Sequence, residues 1–327
     1  MIEFVNKYLD FRNKIDQVSA TTINLNRNWL IYLQRWVDDR DINKVAEYDP
    51  GFLEYVRSMD YSWSYKKKII QTSKCFFKWL NLHHGYEIPA WWIASLKPPR
   101  NKEFKEHQAV SLDEIKYMAK APVKSKRDRR IRASAVFLWL SGARIRAFLS
   151  LPIKAIDIPN KTVYQWPEWG VQTKNGKKAT TYLLNVPELY PVIEEWNEAV
   201  NHLPSESIWF ANFNTNTNQK LKPAYYNSGK YARARNDLHN WLIDIGMPYY
   251  SPHKFRHGHA VYALKQAKDM AQFKAISQNL MHNSITTTDS IYSVFSNDEV
   301  KNQMLNLGQE SNDDLIEKLV KALKNNS

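Results

Sequence analysis

Four short stretches of this 327-residue chain hold side chains able to do phosphoryl chemistry. They are Ser141-Gly142-Ala143-Arg144, a Lys174-Asn175-Gly176-Lys177 turn, His253-Lys254-Phe255-Arg256 followed by His257, and His282 with Tyr292 ten residues beyond it. Attack on a phosphodiester builds negative charge on its equatorial oxygens. A site without a metal must meet that charge with preorganised positive donors. Arginine suits the task because its planar fork stays charged and grips phosphate at two points. On a helix, Arg256 and His253 at i and i+3 share one face. Histidines can donate hydrogen bonds or move protons, a lysine in a hairpin turn can act as general acid, and a phenol can become the covalent link. Such a link conserves the bond energy, so neither ATP nor an ion is required. A histidine-based zinc site is the weaker reading, because no second cluster of Cys, His or carboxylate stands at ligand spacing.

The ordered set resembles the tyrosine recombinases, the phage-integrase family. Their pattern is Thr/Ser-Gly-x-Arg, a hairpin lysine, His-x-x-Arg-His, Leu-Gly-His and Tyr. Here it reads Ser141 to Arg144, Lys174, His253 to His257, Leu280-Met281-His282 and Tyr292. The resemblance covers most of the chain, most strongly about 107–295. It implies that Arg144 and Arg256 clamp the scissile phosphate and that Tyr292 attacks it, leaving a 3′-phosphotyrosyl link and a free 5′-hydroxyl. It implies further that Lys174 protonates the leaving oxygen, with Lys177 and Lys178 as rivals. His253 assists proton movement at the nucleophile, His282 bonds a phosphate oxygen, His257 supports the groups that touch the phosphate, and His259 packs. Three departures stand out: Ala147 replaces an acid common in the family, Met281 replaces the usual glycine, and the gap from His282 to Tyr292 is one residue longer than usual.

Composition agrees with an intracellular, soluble, two-domain protein. Apolar residues make up 43% and charged residues 24%, a globular balance, and nine glycines are few for a Gly-rich nucleotide-binding fold. No apolar stretch reaches about 20 residues, the span of a membrane helix. The start, Met1-Ile2-Glu3-Phe4, lacks the order of a secretion signal, and Cys75 is the sole cysteine. The formal net charge is +13. It is concentrated in 107–297, the segment with the motif, whereas the last thirty residues are net acidic. A positive field of this kind attracts nucleic-acid phosphates.

The apolar spacing sets out a mainly helical fold with a small antiparallel sheet. Residues 1–96 read as a helical DNA-binding block similar to the family's core-binding domain. Helices are expected near 2–11, from Thr22 to Trp36 with Leu25 inward, after Pro50, and over 62–82. On the last, Lys66, Lys67 and Lys74 are DNA-contact candidates. Residues 97–108 form a Pro-containing charged linker, and 109–297 an α+β catalytic domain opened by a capping box, Ser111-Leu112-Asp113-Glu114. Helices follow over 111–120 and 128–141. Arg127, Arg129 and Arg130 contact backbone phosphate in one reading and form a solvated helix edge in the other; Lys177 is a further DNA candidate. Strands are expected at 156–158 and 162–166. Residues 170–173 and 180–184 are expected as hairpin arms around the Asn175-Gly176 turn. Asn212 to Gln219 reads as loop and 223–245 as a helix packing through Tyr231, Leu238, Trp241 and Leu242. The tail, 298–327, carries helical spacing over 314–324, which docks on a neighbouring subunit or on its own domain.

These readings converge on a site-specific DNA recombinase of a mobile element or chromosome. It needs no cofactor, acts on double-stranded DNA in the cytoplasm, and by resemblance assembles as a tetramer on paired sites. A type IB topoisomerase-like enzyme and a catalytically weakened DNA-binding relative are the alternatives.

Overall fold

The computed structural model describes residues 1–98, 108–213, 221–227 and 229–282. The chain divides into two compact units, Met1–Lys105 and Glu106–Ser327.

The first unit is all helical: α1 (Ile2–Lys14), α2 (Ala20–Val37), α3 (Phe52–Ser58), α4 (Trp63–His84) and the short α5 (Ala90–Ser95). Hydroxyls start the two long helices. Ser19 Oγ accepts from Thr22 N and Ser62 Oγ from Tyr65 N, each satisfying an orphan donor of a first turn. Gly85, at φ 67°, ends α4 in the left-handed region. The core gathers Tyr8, Leu30, Leu33, Trp36, Phe76, Phe77 and Leu80. Leu25, expected inside, is 43% exposed. The sequence reading did not anticipate α5, whose few apolar residues are too short a run to show a period.

The second unit opens with α6 (Leu112–Lys120), α7 (Lys126–Ser141) and α8 (Ile145–Phe148). The capping box is formed, with Ser111 Oγ accepting from Glu114 N and a Glu114 carboxylate oxygen accepting from Ser111 N. From Ala133 to Ser141 every residue of α7 is buried, so α7 is the central helix of this unit. The sheet runs β1 (Ile156–Asp157), β2 (Thr162–Gln165) and β3 (Ala179–Tyr182), antiparallel in that order, with Val163 opposite Thr181. Then come α9 (Tyr190–Val200), β4 (Asn212–Phe213) paired with β5 (Leu221–Lys222), α10 (Gly229–Asp244), α11 (Pro252–Gln266) and α12 (Met270–Asn279). Among the described residues no helix is long and apolar enough to cross a membrane.

Several expectations are corrected here. The partner of β3 is β2, not 170–173, so the hairpin connection is the longer segment 166–178. The Asn-Gly turn itself is present: Asn175 and Gly176 both have positive φ, at 59° and 64°. It sits inside the connection instead of closing two adjacent arms. Asn212–Phe213, expected as loop, is a strand, and the helix expected from 223 begins at Gly229. Tyr231, expected to pack, is 37% exposed, while Leu238, Trp241 and Leu242 are buried. The tail lies outside the described residues, and so does most of the linker.

Candidate active site

Arg256 is the structural centre of the site. It lies on α11, is 3% exposed, and its guanidinium reaches three ways. Nη1 donates to Gly142 O at 2.5 Å, Nη2 donates to Leu280 O at 2.5 Å, and Nη2 also lies 2.9 Å from His282 Nε2. One side chain thus joins three of the four stretches. The guanidinium can only donate, so His282 Nε2 accepts and the imidazole carries its proton on Nδ1.

His282 reports on the rest of the site. Its pKa is lowered to about 4, first by burial and then by the charges of Arg256, Arg144, His253 and Lys174. Those four side chains, scattered over more than a hundred positions of sequence, therefore all lie within electrostatic reach of one imidazole. A concentration of positive charge around a neutral donor is a receptor for an anion.

Local structure explains the placements. Ser141 Oγ donates to Phe137 O and accepts from Ala143 N, which shapes the end of α7. Gly142 follows at φ 59°, and a Cβ there would stand 2.8 Å from the ring of His259. Only glycine suits both constraints, and Arg144 leaves the turn as the residue preceding α8. On α11, Pro252 begins the helix and His253, itself exposed, lies in its first turn. The rings of His253 and His257 meet edge to face at 4.5 Å. His259 is sealed in the interior, its Nδ1 donating to Trp139 O at 3.0 Å, and burial lowers it to about 4. It packs, as expected from the sequence.

Met281 has a positive φ of 53° and is 6% exposed. The backbone at this position is therefore left-handed, with a buried methionine bearing it. Ala147, in the position of the missing acid, is buried in the apolar core. Lys174 is exposed within the turn, and its charge is among those that lower the pKa of His282. Lys178 is paired with Glu168 and lies 4.2 Å over the ring of Trp166. Lys177 is exposed. Tyr292 lies outside the described residues.

Within the basic run at the start of α7, Arg130 departs from its phosphate-contact reading. Arg130 is 7% exposed; it donates to Ala211 O at 2.8 Å and pairs with Asp237 at 2.9 Å. Burial pulls its guanidinium down to about 10. It ties α7 to α10 and is withdrawn from any surface. Arg127 also pairs with Asp237, and Arg129 with Glu195 at 2.9 Å, although both keep substantial exposure. In the first unit, Lys66 Nζ donates to Arg57 O at 2.8 Å, Lys67 lies 4.9 Å over Trp63, and Lys74 donates to Ala94 O at 3.1 Å.

Two supporting residues were not read from the sequence. Asn279 accepts from Tyr182 N at 2.7 Å and donates to Tyr182 O at 3.0 Å, pairing the edge of β3 as a strand would. Ser150 Oγ accepts from Gln172 N at 2.7 Å. Neither has a local motif; only the distant partner shows its use.

The chain spans 89% of its own length against a lambda integrase dimer bound to a COC′ core site, with 95% of that chain covered, 15% identity and a TM-score of 0.64. It is similar also to the Tn1549 transposon integrase in complex with a circular intermediate DNA (15% identity, 94% and 98% covered, TM-score 0.65). The XerH site-specific recombinase bound to difH substrate matches at 14% identity, 94% and 84% covered, with a TM-score of 0.61. No curated protein matches. The model of the phage integrase family matches residues 108–298, which holds every one of the six motif side chains. By that match the chain belongs to the phage integrase family, the tyrosine recombinases.

Proposed function

We propose that this recombinase cuts and rejoins double-stranded DNA through Tyr292, with Arg144, Lys174, His253, Arg256 and His282 around the scissile phosphate. One observation carries the reading: the Arg256 guanidinium bonds the carbonyls of Gly142 and Leu280 and lies 2.9 Å from His282 Nε2, so the turn before Arg144, helix α11 and His282 meet at one point. In the reaction the Tyr292 phenolate oxygen bonds to phosphorus as the P–O5′ bond breaks. The bond pair goes to O5′, which takes a proton from the Lys174 ammonium. His253 accepts the phenolic proton, and religation reverses each transfer. Arg144 and Arg256 neutralise the equatorial oxygens, and neutral His282 donates through Nδ1–H. The neighbours bound to DNA support a duplex partner. Strand exchange between two sites would in addition need a tetramer of this chain.

A duplex with a nick beside the scissile phosphate tests this, because the departing short strand prevents religation. Wild-type protein is expected to accumulate a covalent protein–DNA product that Tyr292→Phe does not form. Wild-type protein that binds the duplex yet forms no adduct would establish a binding protein without the chemistry.

A further inference from the structure

The turn that carries Lys174 is exposed, yet its connection is anchored at both ends. Before the turn, Gln172 N donates at 2.7 Å to Ser150 Oγ, and Ser150 is 2% exposed. Ser150 Oγ stands 2.9 Å from the carbonyls of Arg146 and Ala147, so its own proton is held by α8, the helix that begins next to Arg144. A single hydroxyl thus couples the backbone two residues ahead of Lys174 to the element that places the first arginine.

The other anchor is aromatic. Tyr164, Trp166 and Trp169 form a closed trio with ring centroids 4.5 to 5.7 Å apart. Lys154 lies 5.2 Å over Trp169, and Lys178 lies over Trp166 while pairing with Glu168. Trp166, Glu168 and Trp169 enter the connection and Lys178 leaves it, so the trio clamps its two ends together. Gly170, at φ 83°, turns the chain and Val171, 2% exposed, pins it to the core. Between these anchors only 173–177 is left to project.

We propose that Ser150 and the Trp166–Trp169 pair are positioning residues for Lys174, holding its ammonium toward the leaving 5′ oxygen. The proposal rests on the reading of Lys174 as the general acid. General acid catalysis depends on a donor within hydrogen-bond reach, so a loosened loop lowers the fraction of time in which the proton can be delivered.

The test compares single-turnover cleavage of the nicked duplex with that of the same duplex bearing sulfur in place of the bridging 5′ oxygen. A thiolate leaves without a proton. Ser150→Ala and Trp169→Ala are expected to slow cleavage of the oxygen substrate by about 10- to 100-fold, less than the full contribution of a general acid. Both are expected to bind DNA within about 2-fold of wild type and to regain near wild-type rate on the sulfur substrate. Trp169→Phe, which keeps an aromatic ring, restores most of the oxygen rate. Equal slowing on both substrates, or undiminished cleavage of the oxygen substrate, overturns the proposal. Lys174→Ala separates the two layers. If sulfur rescues it but neither positioning variant, the positioning role alone is wrong. If sulfur does not rescue Lys174→Ala, the general-acid assignment fails and takes the positioning role with it. Should Ser150→Ala not fold, the half-buried Trp169 carries the comparison by itself.

Discussion

At the scale of single residues, two side chains show how the local environment sets behaviour. Met281 combines a left-handed backbone, which costs about 1–2 kcal/mol for a residue with a Cβ, with a nearly complete burial of its side chain. Truncating a buried methionine costs about 2–5 kcal/mol. The second quantity is the larger, so Met281→Gly is expected to lower stability, by denaturant unfolding, despite restoring the family's usual residue. His259 makes a pH prediction. Its pKa falls from 6.5 to about 4 on folding, because burial penalises the charged ring. The unfolded chain therefore binds a proton that the folded protein refuses, and stability declines as pH drops through that window. The full shift corresponds to about 3 kcal/mol. Chemical denaturation at pH 7 and pH 4.5 should show the loss, and His259→Gln should shrink it. His282, shifted in the same direction, leaves part of the acid sensitivity in place.

Between elements, α11 packs closely against α7 at Gly258. A Cβ at Gly258 would stand 2.0 Å from Val110 O and 2.7 Å from Trp139 Nε1, the very pair that bonds at 2.9 Å. Val110 is tied to α11 as well, its N donating to Lys254 O at 3.1 Å, and Trp139 is fully buried. Gly258→Ala must push α11 away, and α11 carries His253 and Arg256. Overpacking of this kind costs about 1–3 kcal/mol. The larger effect is expected on the reaction, because a displacement of about 1 Å in a positioned group can cost 100-fold. Adduct formation by Gly258→Ala should fall far more than its melting temperature suggests. Gly258→Ala with normal adduct yield would show that the α11–α7 spacing has slack.

Over the whole molecule, charge is the property to test. A net +13, concentrated on the segment with the site, makes DNA affinity depend on counterion release. For a protein touching 6–10 phosphates, affinity falls by roughly 10³–10⁵ between 50 and 200 mM salt. Fluorescence anisotropy of a labelled duplex across that range should give a straight line in log–log form. A slope near zero would mean that the basic surface is not the DNA face. The same scale separates what sequence determines from what the tertiary fold decides. The order of Arg144, the turn lysine, His253, Arg256 and His282 was legible because each sits in a motif with local meaning: a left-handed Gly142 after α7, an Asn-Gly turn, an i,i+3 helical pair. The long helices were legible through their periodicity, and the start of α6 through the capping box at Ser111; the Ser19 cap, which starts α2 before the expected Thr22, was not. What stayed hidden depends on partners distant along the chain. The spacing of hydrophobic residues could not say that β3 pairs with β2 instead of 170–173, since both candidates alternate acceptably. Charge alone could not turn Arg130 inward; Asp237 and the Ala211 carbonyl, remote in sequence, do that. Ser150 and Asn279 look ordinary until Gln172 and Tyr182 arrive beside them. Short-range torsion and side-chain periodicity are written along the chain, whereas long-range hydrogen bonds and burial exist only once distant segments have met.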